Sequence, residues 1–332
     1  MSDVSGKSPR VSAEGPLTGV VLLNMGGPDS LNAVRPVLAR LFSDKELIRL
    51  PAALITQPLF AWIVSGLRAR KVRRYYEEIG GGSPIAAITE RQRIALEEAL
   101  RATGGRFKVY TGMRYWFPLA KHAALEMKED GVARVIALPL YPHFCAATTG
   151  SSFSDLRRWM KWAGCSCPLT EIRSYPEHPK YVAALAETIA GTIRDADRGG
   201  VFLLFSAHGV PQALIDGGDP YREETERTVA AVMRSFPGLP HGVSYQSKVG
   251  PTAWLPPDTV SEVTRLAREG VRTLVVVPVS FVSEHIETLH ELDVRLAAHA
   301  RQAGIQSFRR TPALNDAPGF IAALTDLVLG AV

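Results

Sequence analysis

Cysteine is scarce in this chain of 332 residues: Cys145, Cys165 and Cys167 are the full set. An odd, low count argues against a disulfide framework and fits a reducing compartment. Long apolar runs are missing too. The longest apolar-rich stretch, Leu50 to Leu67, is interrupted by Pro51, Gln57 and Pro58, which argues against a spanning helix. Residues 1–16 are polar and small, lack the apolar core of a signal peptide, and predict a disordered tail. Gly80-Gly81-Gly82 has neither the Gly-x-Gly-x-x-Gly spacing nor the lysine of a phosphate loop, so a nucleotide site is poorly supported. No charge sign dominates, with a formal net charge of +5. The cations are nonetheless clustered, because Arg68, Arg70, Lys71, Arg73 and Arg74 lie close together. Such a cluster suits an acidic ligand, anionic lipid or nucleic acid, or is a solvated helix face. Leu54, Ile55, Leu59, Phe60, Trp62, Ile63 and Leu67 precede it, a pattern that fits either a membrane surface or a buried helix.

What is present is an alternation of short apolar runs with amphipathic helical patterns, the signature of parallel sheets covered by helices. Runs start at Gly19, Phe107 and Val132, and again at Val201, Gly242 and Val271. Helical patterns fall between them, after Pro84, around 118–129, after Asp219-Pro220 and near Pro257-Asp258. The segment from Glu129 to Pro139 parallels the one from Arg268 to Pro278, each placing a proline at the end of a buried strand. The reading is a duplicated α/β unit: two similar Rossmann-like domains with parallel sheets and a cleft between them. Their expected bounds are 17–168 and 169–311. Ligands of open α/β sheets bind at the carboxyl ends of strands, so the loops there hold the candidate site.

One of those loops carries His208. A histidine there can act as a base near neutral pH, since its unperturbed pKa is about 6.5. A turn histidine satisfied by a backbone carbonyl would leave the same letters. Phe281 to Asp293 is more distinctive: if a helix begins after Ser283, then Glu284, Glu287 and Glu291 share one face. Three carboxylates in a row repel one another unless a cation or shared protons intervene, which points to metal or proton handling. A solvated acidic face in the first turn is the other reading. The aromatics and thioether of the strand-end loops, Met25, Tyr115, Trp116, Phe117, Tyr141, Phe144, Trp254 and Phe281, suggest together a broad flat apolar ligand. Ser83, Arg114, Thr148, Thr149, Ser151 and Ser152 are candidate polar anchors, and Arg114 could pair with a carboxylate.

The loops resemble those of ferrochelatases. The resemblance is carried by Leu-Asn-Met-Gly-Gly-Pro (23–28), Ile-Gly-Gly-Gly-Ser-Pro-Ile (79–85), Gly-Met-Arg-Tyr (112–115), Thr-Thr-Gly-Ser-Ser (148–152), Ser-Ala-His-Gly-Val-Pro (206–211), Tyr-Gln-Ser-Lys-Val-Gly-Pro (245–251) and Phe-Val-Ser-Glu-His-Ile-Glu-Thr-Leu (281–289). It implies the chelatase fold with a porphyrin cleft, and residues 312–332 returning to the first domain. It implies insertion of ferrous iron into protoporphyrin IX, a lyase reaction ending haem biosynthesis. A chelatase for another metal or tetrapyrrole and a non-catalytic carrier are the alternatives. By the same resemblance His208 and Glu287 are catalytic and metal-contacting, with Glu284 and Glu291 further metal contacts. Met25, Ser83, Arg114, Tyr115, Trp254 and Phe281 line the porphyrin, and Met25 in place of tyrosine favours protoporphyrin over coproporphyrin. The Leu50–Arg74 segment resembles an apolar lip, implying a cytoplasmic protein with peripheral contact to the inner membrane and no nucleic-acid partner. Cys145 matches a [2Fe-2S] ligand of some members, but no cysteine follows Cys167, so no cluster and no permanent cofactor are expected.

Overall fold

A computed structural model describes residues 15–47, 53–195, 200–248 and 252–332, with side chains left out of the description at 53–55. Most of the expected tail, the positions Leu50 and Pro51, and the end of the 245–251 motif therefore lie outside the described residues.

The strand β1 (Thr18–Asn24) leads through α1 (Val34–Phe42), α2 (Ala53–Glu77) and α3 (Ile85–Arg101) to β2 (Phe107–Met113). Next come α4 (Ala120–Glu129), β3 (Arg134–Pro139), α5 (Ser151–Ala163), β4 (Leu169–Glu171) and α6 (Pro179–Thr192). The second half runs β5 (Val201–His208), α7 (Gln212–Asp216), α8 (Tyr221–Met233), β6 (His241–Gln246), α9 (Thr259–Arg268) and β7 (Thr273–Pro278). It ends with α10 (Ala297–Ala303), β8 (Ser307–Arg310) and α11 (Pro318–Leu329).

The two halves fold alike. Each holds a four-stranded parallel sheet, ordered β2-β1-β3-β4 in the first and β6-β5-β7-β8 in the second. All seven residues of β1 are buried, as its Val/Leu-rich sequence requires of a strand covered on both faces. One apolar cluster runs through both units, joining Val20, Ile136, Leu203 and Val275 to Leu96, Tyr181 and Phe320 from the covering helices. Helix α11 packs against α3 and α6.

Two expectations need correction. The domain division at residue 168 cuts through the first sheet, because Leu169–Glu171 pairs with β3 in the register Val135↔Leu169. The acidic segment does not enter an α-helix after Ser283; it forms a π-helix over Glu287–Leu296, with Glu284 before its start. A shorter π-helical turn, Ala146–Gly150, follows β3 in the corresponding place of the first unit. Wider turns of this kind are rare and recur at functional sites.

In each sheet the chain moves to one side of its first strand and then to the other. The crossover directions therefore reverse between β5 and β7, and the crevice opens at their carboxyl ends.

Candidate active site

His208 is the last residue of β5, and the segment after β7 faces it, which places the site at that crevice. The His208 backbone is fixed from two sides. Its N–H donates to Ser280 Oγ at 2.8 Å, and its carbonyl accepts from the Tyr221 hydroxyl at 2.9 Å. The ring nitrogen Nδ1 lies 2.5 Å from the Gly209 carbonyl, which can only accept, so Nδ1 carries hydrogen. Nε2 is left as the exchanging atom, and it points at Glu287 Oε1, 3.5 Å away. Residue 209 must be glycine, since a Cβ there would stand 2.6 Å from the Gln246 carbonyl and 3.2 Å from the Trp254 ring.

Electrostatics make this contact an ion pair. Burial by itself would lower the His208 imidazole, but the Glu287 carboxylate outweighs it and the pKa is pushed up to about 9. Burial would raise Glu287; His208 and then His285 hold it far below the usual carboxylate range. The second oxygen, Oε2, is 3.6 Å from His285 Nε2 and is buried without a hydrogen-bond partner. Leaving such an acceptor unmade costs about 1–3 kcal/mol or more. Glu291 sits one π-turn on, bonded by Ser247 through both N–H (2.9 Å) and Oγ (2.7 Å). Burial, with Glu287 adding to it, raises its pKa. The Phe281 ring lies 6.1 Å from His208 and 4.7 Å from His285, completing an aromatic wall with the half-buried Trp254.

Glu284 does not join this group. Its Oε1 accepts from Arg310 at 2.8 Å and from the Ala313 N–H at 2.9 Å. The four-residue metal set of His208, Glu284, Glu287 and Glu291 is thus not assembled, and no described group of three or more such side chains is arranged to hold an ion. His290 also turns away, stacking on Tyr75 at 4.2 Å and reaching Glu78 at 3.2 Å. This contact ties the end of α2 to the π-helix. The buried Tyr76 comes with it, and its hydroxyl is raised by burial and by Glu287.

The first unit supplies the facing wall. Met25 follows β1 and its carbonyl accepts from Tyr115 N–H at 2.9 Å. Ser83 lines a cavity of about 710 Å³ together with Arg73, Gly80 to Gly82 and, from the second unit, Leu289. Arg114 and Tyr115 are not free anchors. The guanidinium donates to Asp44 Oδ2 (2.8 Å) and Ser151 Oγ (2.8 Å), and the Tyr115 hydroxyl donates to Asp44 at 2.7 Å. Thr149, Ser151 and Ser152 are buried within the π-turn and the first turn of α5. Cys165 and Cys167 hold their sulfurs 3.3 Å apart, and Cys145 is buried elsewhere, after β3.

His285, Ser280, Tyr221, Tyr76 and Asp44 are the participants that the letters did not single out for these contacts. Only His285, beside the acidic row, left a local signal.

Comparison with known proteins bears on what this arrangement does. A family model described as Ferrochelatase matches residues 17–332. The ferrochelatase of Geotalea daltonii is 47% identical over 312 residues, covering 94% of this chain and 97% of that protein. The ferrochelatase of Thermosynechococcus vestitus is 48% identical over 317 residues, 94% of this chain and 81% of that one. Among solved structures, SirB from Bacillus subtilis with Fe3+ superposes with a TM-score of 0.56 at 10% identity, covering 95% and 94% of the two chains. The sirohydrochlorin chelatase SirB of B. subtilis subspecies spizizenii with cobalt gives 0.52 at 8% identity, covering 94% and 93%. At that identity these two show the fold alone.

Proposed function

The chain belongs to the ferrochelatase family and inserts ferrous iron into protoporphyrin, a lyase reaction of haem synthesis; we propose that His208 and Glu287 perform the exchange of protons for metal. The observation that carries this reading is the Nε2–Oε1 contact of 3.5 Å at the mouth of the β5/β7 crevice. Metal insertion must release two pyrrole protons, so the site needs a group that accepts protons beside one that attracts a cation. In the free protein the charge of its carboxylate partner keeps Nε2 protonated. A dication approaching Glu287 opposes that charge and lowers the His208 pKa, so Nε2 gives its proton up by way of Glu291 to solvent and can then accept a pyrrole proton. Metal arrival and base activation are thereby coupled. The unpartnered Glu287 Oε2 offers the cation a lone pair, and Glu291, its pKa raised, takes up and passes on protons. A loose carboxylate site also suits iron that must leave for the porphyrin.

The apolar wall of Met25, Trp254 and Phe281 would grip the macrocycle, using binding energy at the rim to hold its centre nonplanar. The family resemblance adds Ser83 to this wall, although the cavity it lines includes none of the three. No resident cofactor is needed for this chemistry. A [2Fe-2S] cluster takes four protein ligands, and this chain has three cysteines in all. Anaerobic incubation with protoporphyrin and Fe(II) should convert the free-base spectrum to that of haem. Porphyrin binding without that conversion would instead identify a carrier.

We further propose that α2 docks on a membrane surface. No helix among the described residues is long and apolar enough to cross one. Leu59, Trp62, Ile63 and Leu67 are nonetheless solvent-exposed on α2, Leu67 at 77%, with Arg68, Arg70 and Lys71 just beyond. An apolar stripe followed by cations fits an anionic lipid interface. Burying one leucine is worth about 1.5–3 kcal/mol. Leu67→Glu should therefore weaken sedimentation with anionic vesicles by roughly tenfold or more. Undiminished binding would remove α2 from the interface.

A further inference from the structure

Arg114 stands at the carboxyl end of β2, its N–H bonded to the Asn24 carbonyl beside Met25. A guanidinium in that place would hold a porphyrin carboxylate through the paired donors Nε and Nη2. Both donors are already used, Nε by Ser151 and Nη2 by Asp44. Asp44 is unusually well satisfied for a buried carboxylate. Its Oδ2 accepts from Arg114 at 2.8 Å, from Tyr115 Oη at 2.7 Å and from Ser151 Oγ at 2.7 Å, while Oδ1 accepts from Glu46 N–H at 2.9 Å. Burial would raise its pKa, yet Arg114 and the two hydroxyls hold it below the ordinary carboxylate value. The remaining guanidinium nitrogen, Nη1, is 3.7 Å from Asp155, which also pairs with Arg158. Two cations face two carboxylates, and the cluster is charge-balanced.

We infer that Asp44 is a specificity-determining residue: by occupying and neutralising Arg114 it biases the cleft toward porphyrins with few peripheral carboxylates. The inference rests on the reading that Arg114 borders the porphyrin. At this edge a propionate meets neither a free guanidinium fork nor a net positive charge to offset the loss of its hydration. A vinyl or methyl group incurs no such penalty. Asp44 acts through Arg114 and is a positioning residue, not a catalytic one.

The test compares protoporphyrin IX, with two propionates, and coproporphyrin III, with four, as alternative substrates for iron insertion. Asp44→Asn keeps the shape and leaves the cluster with one excess positive charge. The ratio of kcat/KM for coproporphyrin over protoporphyrin should rise about tenfold, the factor that one good polar contact supplies. The rise should appear in KM and shrink in high salt, because a charge causes it. Asp44→Asn combined with Arg114→Gln restores neutrality and should return the ratio toward the wild-type value. Arg114→Gln alone leaves the negative charge and should move the ratio the opposite way, which keeps the test decisive even if Asp44→Asn folds poorly. Equal losses on both substrates, or shifts of the same sign in the two single variants, would overturn the inference and leave Asp44 a structural strut. Failure of the wild-type chain to metallate protoporphyrin would instead overturn the underlying assignment of function.

Discussion

His208→Ala should lower kcat for iron insertion by about a hundred- to ten-thousand-fold, the range that a positioned acid–base group contributes. Protoporphyrin binding, followed by fluorescence quenching, should be kept. The structure makes the separation clean. Ser280 and Tyr221 fix the backbone of residue 208, so the strand end does not depend on the ring. The side chain is 36% exposed, and removing it empties space at the mouth of the crevice rather than in the core. What is lost is one atom, Nε2, with its proton. Wild-type turnover at saturating iron in this variant would end the proposed role of His208.

Glu287→Gln should have a comparable effect on turnover with a different signature. The amide preserves size but loses the charge that holds the His208 pKa up at about 9. Burial is then the main influence left, and it lowers an imidazole. The rise of kcat/KM with pH, which reports the free enzyme, should therefore move from near 9 to the neutral range or below. Turnover should still fall by about a hundredfold or more, because the carboxylate paired with His208, the one that attracts the metal, is gone. The same pair makes a stability prediction whose sign follows from the two shifts. The His208 contribution is complete below the unfolded pKa of 6.5 and is lost as pH rises through about 9. The Glu287 contribution is complete above the unfolded value of 4.5 and is lost as pH falls toward its depressed folded pKa. The pair therefore stabilises fully between these unfolded values, and thermal unfolding of Glu287→Gln should lack that component. An unchanged pH–rate profile in Glu287→Gln would uncouple the two residues.

The duplicated plan was legible because its signals are local. Buried strands such as Val201 to Phe205 declare themselves by unbroken apolar letters, and Asp219-Pro220 and Asp258 mark helix starts within one turn of sequence. The motifs around His208 and Glu287 could likewise be placed at strand ends, and the resemblance they carry named the reaction. The side-chain partnerships were not legible. Glu284 belongs by its spacing to an acidic row, yet Arg310, 26 residues away, draws it elsewhere. Arg114 reads as a carboxylate clamp until Asp44, 70 residues before it, is seen to fill the clamp. The π-helix also escapes the letters, since apolar spacing does not report which carbonyl a given N–H will choose.

The sequence by itself determined the two α/β units, the edge on which ligands meet them and the residue types available there. Hydrophobic periodicity and turn chemistry act over a few residues, so a linear reading captures them. Only the tertiary structure decided which of those side chains remain uncommitted at the crevice. A buried charge settles on whichever partner the fold brings within hydrogen-bond reach, and the distance that matters there is through space, not along the chain.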